Sequence, residues 1–324
     1  MKYLYVLVGS KNGFYCEQTL VSMASLKNVQ PDAFVTLLVD CLTDKGFISE
    51  LERIKEYVNE YIVVPVEESV PAIARSRYIK TSMRKYVEGD FLYVDADTVW
   101  NAPVVETDFT HDVMGVLDGH CLLAEHPLKK GIEEDFKKTD CNPNVNGYVN
   151  SGVLFSRDSS FSKSFFKNWH ELWLNTSKHG YFIDQPSLNY VIAQMGEGFS
   201  TLPNSYNVQI SRSWEFFFEA KIIHFYTGWQ QNLFESPYLF QQKDFWEKIK
   251  QNGITPFVRN LIENPIKAFE KKCNVYGSSE NKFRQTALYG FLVDIYSNRE
   301  KKITFWLLEK MLCLLINFAK KIKR

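Results

Sequence analysis

The chain has 324 residues, 45% of them hydrophobic, enough for a sizeable core in one large domain or two moderate ones. Lys+Arg and Asp+Glu balance at 38 each, which argues against a general nucleic-acid binder, since such proteins carry a basic excess. Six scattered cysteines without a C-x-x-C pair read as free thiols of a reducing compartment and argue against a structural zinc site.

The opening segment, Met1 to Gly13, is interrupted too early for a signal peptide and reads as a first buried strand. Its apolar run stops at Gly9, Ser10 and Gly13. A continuous run suits a parallel strand covered on both faces. Leu20, Met23 and Ala24 then recur at helical spacing. Ala33 to Asp40 is a second strand ending in an acid. Phe47, Leu51, Ile54 and Val58 mark a second helix by their three-to-four spacing. Tyr61 to Val66 is a third strand, and a basic helix follows over Ile73 to Tyr86. Its Arg75, Lys80 and Arg84 read as a solvated face. Phe91 to Trp100, "FLYVDADTVW", is a fourth apolar run with two aspartates at its tip.

Strand and helix alternate through this half, the signature of a parallel sheet flanked by helices. Ligands of such α/β sheets bind at the carboxyl ends of the strands. The Gly9–Ser10 loop, Asp40, Asp95 and Asp97 all fall there. No G-x-G-x-x-G or Walker A loop is present, which argues against a dinucleotide dehydrogenase or a P-loop NTPase.

Further along, Asp112 to Asp118 and Tyr148 to Ser156 read as strands, with a polar loop, Asp140 to Gly147, between them. Phe161, Phe165, Trp169 and Leu172 form an amphipathic helix. Ile183 to Met195 starts another, with Pro186 in its first turn, where proline is tolerated. Lys221 to Gly228 is a late strand carrying His224. After Pro256 the pattern turns to helices and charge, which divides the chain into 1–255 and a C-terminal helical region, 256–324.

Side chains alternate along a strand, so Asp95 and Asp97 are expected on one side, with Ala96 opposite. Two carboxylates there can grip a divalent cation, or they can cap a turn by local hydrogen bonds. His224 at another strand tip is either a satisfied core histidine or a third ligand. Carboxylates, one imidazole and phosphate oxygens make a shell suited to Mn²⁺.

Five segments in order, "YVLVGSKNGFYCEQTLVSMASL", "LYVDADTV", "NSGVLFS", "DQPSLNYV" and "IIHFYTG", resemble the retaining glycosyltransferases of family 8, the galactosyltransferase and glycogenin type. The resemblance spans about two thirds of the chain, from Tyr3 to Gly228. It implies a GT-A fold: a single Rossmann-like domain with a mixed central sheet, here followed by a C-terminal helical tail. It implies a nucleotide-sugar donor such as UDP-glucose or UDP-galactose, and a glycan or lipid-linked acceptor. Asp95, Asp97 and His224 match the ligands of Mn²⁺ or Mg²⁺, and Asp95 would also lie near the donor ribose. Gly9, Ser10, Asp40, Arg77, Asn150, Ser151 and Gly228 would line the donor site. Asp184 and Gln185 match the pair beside the transferred sugar; without the resemblance they read as a helix N-cap and its neighbour.

Two departures stand out. The family follows its late histidine with a phosphate-gripping lysine, and this chain has "HFYTGWQQNLF" without one. The first loop, "GSKNG", lacks the acid that many members use to read uracil. Two other classes stay open: a sugar-nucleotide nucleotidyltransferase, whose glycine-rich basic loop "VGSKNGFY" reproduces poorly, and a non-catalytic sugar-nucleotide or glycan binder.

The last segment, Ile303 to Arg324, sets Phe305, Trp306, Leu308, Met311, Leu312, Leu315, Ile316 and Ala319 in an apolar stripe with lysines at both ends. Glu309, Lys310 and Asn317 interrupt it, so a full span is not expected. Such a helix suits the interface of an anionic leaflet, or it docks its stripe on the catalytic domain. The first alternative fits a cytoplasmic enzyme, held at the inner face of the membrane, acting in lipopolysaccharide or polysaccharide biosynthesis.

Overall fold

The computed structural model describes residues 1–139, 145–226, 236–269, 278–284, 286–297 and 302–322. The chain divides into two compact units, Met1–Thr227 with Pro237–Lys272, and Gly228–Ser236 with Cys273–Arg324.

The first unit begins with β1 (Lys2–Leu7), α1 (Tyr15–Val29), β2 (Phe34–Asp40), α2 (Cys41–Gly46), α3 (Ile48–Lys55), β3 (Glu60–Val64), α4 (Ala72–Ser82), β4 (Phe91–Val94) and β5 (Thr98–Trp100). It continues with β6 (Val113–Leu122), α5 (Lys129–Lys138), β7 (Gly147–Ser156), α6 (Ser160–Ser177), α7 (Gln185–Met195), β8 (Phe199–Thr201), β9 (Val208–Gln209), β10 (Ile222–His224), α8 (Lys243–Asn252) and α9 (Pro256–Glu263).

Strand β1 explains the unbroken apolar run. Tyr3, Tyr5 and Leu7 enter one core while Leu4 and Val6 enter another on the opposite face of the sheet. A strand buried on both faces has no polar side to show. The seven-stranded sheet runs β3-β2-β1-β4-β7-β6-β8. Strands β1 to β4 are parallel, whereas β7 is antiparallel to both β4 and β6. The chain moves outward from β1 to β3 and then returns to place β4 on the other side of β1. That reversal opens a crevice at the carboxyl ends of β1 and β4.

A smaller sheet, β5-β10-β9, lies beyond the tip of β4. Its antiparallel register sets His224 opposite Thr98, one residue from Asp97. Phe225, next to His224, packs in a triangle of rings with Phe240 and Trp246, its centroid 5.7 and 5.5 Å from theirs. All three rings are buried. Truncating Phe225 to Ala would cost about 3–5 kcal/mol, so the strand that carries His224 is firmly anchored.

Two expectations are corrected. The sheet unit does not end at residue 255. Helix α9 starts on Thr255, whose hydroxyl accepts from Val258 N at 3.3 Å, and it buries Val258, Leu261 and Ile262 in the same core as Trp246. Nor is the basic helix α4, with the turn after it, a solvated face. Arg75, Lys80 and Arg84 are all buried. Arg84 donates to the carbonyls of Val87 and Gly89 and lies over the Phe91 ring, 4.4 Å from its centroid.

The second unit contains α10 (Ser278–Arg284), α11 (Ala287–Ser297) and α12 (Lys302–Ile322). Tyr296 of α11 meets Phe305 of α12 edge to face at 4.9 Å. Ile303, Trp306, Leu307, Met311, Leu312, Leu314 and Leu315 of α12 are exposed. Phe305 and Leu308, expected in the same stripe, are partly covered, and the side chains of Ile316 and Ala319 lie outside the described residues. No helix among the described residues is long and apolar enough to cross a membrane. Cys16, Cys41 and Cys313 are free thiols.

Candidate functional site

Asp95 and Asp97 do not sit on a strand. Strand β4 ends at Val94 and β5 begins at Thr98, so the D-x-D is a bend between them. The bend is held at three points. Asp95 N donates to Gly152 O at 2.8 Å, the Thr98 hydroxyl donates to Asp95 O at 2.8 Å, and Phe225 N donates to Asp97 O at 3.0 Å. Behind it, Ser22 of α1 hydrogen-bonds Thr98 at 2.7 Å, and Ser25 accepts from Trp100 N at 2.9 Å. Convergence of the two carboxylates therefore comes from a braced turn rather than from strand alternation.

Asp95, Asp97 and His224 each offer one ligand atom, and these lie within 4.8 Å of one another, the one such cluster found among the described residues. His224 Nε2 is 3.1 Å from Asp97 Oδ1. Burial alone would raise the Asp97 carboxyl, but His224 beside it holds it below the usual carboxylate range.

Deeper in the crevice, a second set of charges forms around Asp184. Arg77 Nε is 2.9 Å from Asp184 Oδ1, and Lys80 Nζ is 3.6 Å from Oδ2. Lys80 is itself almost fully buried and donates to Asp95 Oδ1 at 3.0 Å and to Ser151 Oγ at 3.1 Å. Burial pushes Asp184 up, but Lys80, Arg77 and a hydrogen bond from Ser151 outweigh it and hold the carboxyl below its usual range. Asp184 does occupy the N-cap position of α7, with Gln185 as the first helical residue, but its side chain makes no capping bond and turns to Arg77 and Lys80 instead.

Beside this lies Asn150. It donates to Asp118 Oδ1 at 2.9 Å and approaches Gln185 Oε1 at 3.5 Å. Asp118 Oδ2 is 3.0 Å from His126 Nε2. Pairing between β6 and β7 shifts register after Leu117, where Gly119 and His120 take φ of 66° and 58°, and this bulge lies directly after Asp118. Tyr226, also left-handed at φ 45°, stacks its ring on His224 with centroids 4.0 Å apart. A non-glycine residue held there is strained, as often happens beside functional groups.

The remaining expected residues are placed as follows. Gly9, after β1, donates to Thr43 Oγ1 at 2.7 Å, and a Cβ on it would meet the Phe47 ring at 2.4 Å. Ser10 is half-buried in the same loop. Asp40 is buried with both oxygens committed inside the protein: Oδ1 accepts from Thr43 N at 3.1 Å and Oδ2 pairs with Arg75. Gly228 lies outside the described residues.

Sequence reading missed Lys80, Asp118, His126, Asn207 and Tyr226. For Lys80 a signal existed: it follows Arg77 by three residues, which puts both on one face of α4. Asp118 ends the apolar run that Val113 opens, as Asp40 and Asp95 end theirs. Asn207 had no local signal, because it reaches Asn150 across 57 residues; His126 and Tyr226 lie near Asp118 and His224 in sequence, but no spacing there marks them.

No family model matches the chain, and no curated protein matches it significantly. Solved structures do. The galactosyltransferase LgtC, in complex with donor and acceptor sugar analogues, aligns at a TM-score of 0.50 and 14% identity, over 87% of this chain and 100% of that one. GlyE, a glycosyltransferase of Streptococcus pneumoniae TIGR4, gives 0.48 and 16% over 85% of this chain and 66% of that one. Mouse xyloside xylosyltransferase 1 gives 0.45 and 12% over 69% and 97%. The order of strands, the bend after β4 and the alignment with LgtC agree: this chain has the GT-A glycosyltransferase fold.

Proposed function

We propose that the protein is a glycosyltransferase that moves a hexose from UDP-glucose or UDP-galactose to a hydroxyl of a glycan or glycolipid, with retention, using Mn²⁺ or Mg²⁺. The observation that carries this reading is the convergence of Asp95, Asp97 and His224 at the tip of β4, within 4.8 Å, in the crevice where an open α/β sheet binds its ligand. Two carboxylates and one imidazole nitrogen are oxygen and borderline donors, a set that fits Mn²⁺. When bound there, the ion supplies neutralisation of the diphosphate charge that develops as the sugar departs.

The chain's own residues account for the rest. The Gly9–Ser10 loop brings backbone to the donor, and Arg77 offers it a guanidinium. Asn150, Ser151 and Gln185 face the sugar. Asp184, kept ionised between Arg77 and Lys80, sets a negative charge near the position where positive charge grows. The bond from the anomeric carbon to phosphate oxygen breaks, a bond to the acceptor oxygen forms on the same face, and the acceptor proton leaves with the phosphate. LgtC was crystallised with donor and acceptor analogues, which supports a two-substrate reading of the crevice.

The exposed apolar residues of α12, with the lysines around them, support docking on the cytoplasmic face of an anionic membrane, where a lipid-linked acceptor would lie. Incubation with a panel of labelled sugar nucleotides and Mn²⁺ tests the function. UDP release from a UDP-hexose supports it, and pyrophosphate exchange would favour a nucleotidyltransferase instead.

A further inference from the structure

We infer that Asn207 is a positioning residue for His224, holding a hydrogen on Nδ1 so that Nε2 is the nitrogen left for the metal position. One backbone group that can only donate orients the whole network. Gly152 N–H points at Asn150 Oδ1 from 2.9 Å, so that atom of the Asn150 amide is its oxygen. The other end of the same amide agrees, because its nitrogen donates to the Asp118 carboxylate at 2.9 Å. With Asn150 oriented from both sides, its oxygen lies 2.9 Å from the Asn207 amide, and only Nδ2 of Asn207 can face it. That turns Asn207 Oδ1 toward His224 Nδ1 at 3.0 Å. An amide oxygen only accepts, so Nδ1 must carry the hydrogen.

The arrangement is closed to substitution by water. Asn150, Asn207 and His224 are all buried. One side of the ring rests against Gly152, where a Cβ would come within 2.4 Å of His224 Cε1, and Tyr226 stacks on the ring. The imidazole therefore has no room to turn over. Nε2 faces Asp97 Oδ1 at 3.1 Å. A proton bridging those two atoms is one that a cation displaces, while Nδ1 keeps its own in both states. Hydrogen bonding by one ring nitrogen selects which nitrogen is left for a metal.

The hydrogen on Nδ1 concerns the protein alone; its use in holding a cation rests on the metal reading proposed above. Long-range proton–nitrogen NMR of the full chain, labelled at histidine and recorded without and with Mg²⁺, reads which ring nitrogen keeps its hydrogen. His224 Nδ1 should be of the protonated, pyrrole type in the wild type, and Nε2 should be the nitrogen that shifts on adding Mg²⁺. Mn²⁺ affinity, read from the free-ion EPR signal, should fall about 10- to 100-fold in Asn207→Leu. It should fall much less in Asn207→Asp, which keeps the accepting oxygen. An unprotonated Nδ1 in the wild type, or wild-type Mn²⁺ affinity in Asn207→Leu, overturns the inference. If Asn207→Leu does not fold, the wild-type spectrum decides. If the wild type binds no Mn²⁺, the metal reading fails while that spectrum still judges the role of Asn207.

Discussion

His224 Nε2 lies 3.1 Å from Asp97 Oδ1, although 127 residues separate the two. Strand β10 brings them together by pairing antiparallel with β5, directly after the D-x-D bend. Two acids and an imidazole are held there by backbone that the fold would keep without them. Asp97→Asn and His224→Ala should therefore abolish Mn²⁺-dependent turnover while leaving circular dichroism and the folded NMR dispersion unchanged. Full activity in either variant would remove the metal site from the mechanism.

Asp184 sits between Arg77 at 2.9 Å and Lys80 at 3.6 Å. If its charge serves the transition state, Asp184→Asn should lower kcat about 100-fold or more and weaken UDP binding far less. Turnover measured beside calorimetry of UDP–Mn²⁺ binding separates the two. Equal losses would instead mark the residue as a structural partner of the α4 cations.

Acid stability carries the sign of the buried carboxylates. His126, Arg212 and Asn150 outweigh the burial of Asp118 and hold its carboxyl below the usual range. A carboxyl whose folded pKa lies under its unfolded value of about 3.9 stabilises the fold above that value. The contribution is lost as pH falls through the folded pKa. The urea midpoint of the wild type should thus drop below about pH 4, and Asp118→Asn should flatten that part of the curve. Superimposable curves for the two proteins would show that Asp118 carries no such coupling.

Gly152 is constrained by space rather than by backbone angle. A Cβ there would lie 2.4 Å from His224 Cε1 and 2.8 Å from Asn150 Oδ1. Gly152→Ala should destabilise by about 1–3 kcal/mol, the usual range for overpacking, and displace the imidazole, so that metal affinity falls with stability. Denaturant titration and Mn²⁺ binding measured on one preparation check both effects. A variant with wild-type values for each would mean that the ring can move aside freely.

The tail prediction is independent of the chemistry. Flotation with anionic vesicles should recover the full chain and lose it when the chain is cut after Asn298, while neutral vesicles recover neither. Each basic residue near an anionic surface adds on the order of 1 kcal/mol, so added salt should release the full chain. Equal flotation of the two forms would leave the exposed side chains of α12 without a membrane role.

Much of this fold could be read from the sequence, because its central strands are buried on both faces and so announce themselves as unbroken apolar runs. The segment from Tyr3 and the one before Asp95 are clear cases. The short strands β5, β8 and β9 have two or three residues each, too few for any periodicity to register. Asp95, Asp97 and His224 stood out because strand tips of such sheets face the ligand. Arg75, Lys80 and Arg84 were misjudged because a basic helix looks solvated until its neighbours are known. Here Asp40, Asp95, Asp184 and carbonyls supply the partners that make burial tolerable. Asn207 gave no signal, since its importance lies wholly in which atoms it turns toward Asn150 and His224.

The most direct test of the central claim is donor hydrolysis by the purified full chain, with labelled UDP-glucose and UDP-galactose, in Mn²⁺ and in EDTA. The account predicts slow release of UDP from one of them in Mn²⁺, none in EDTA, and none from Asp97→Asn. UDP release that persists unchanged in EDTA, or no release from either donor in Mn²⁺, would contradict it.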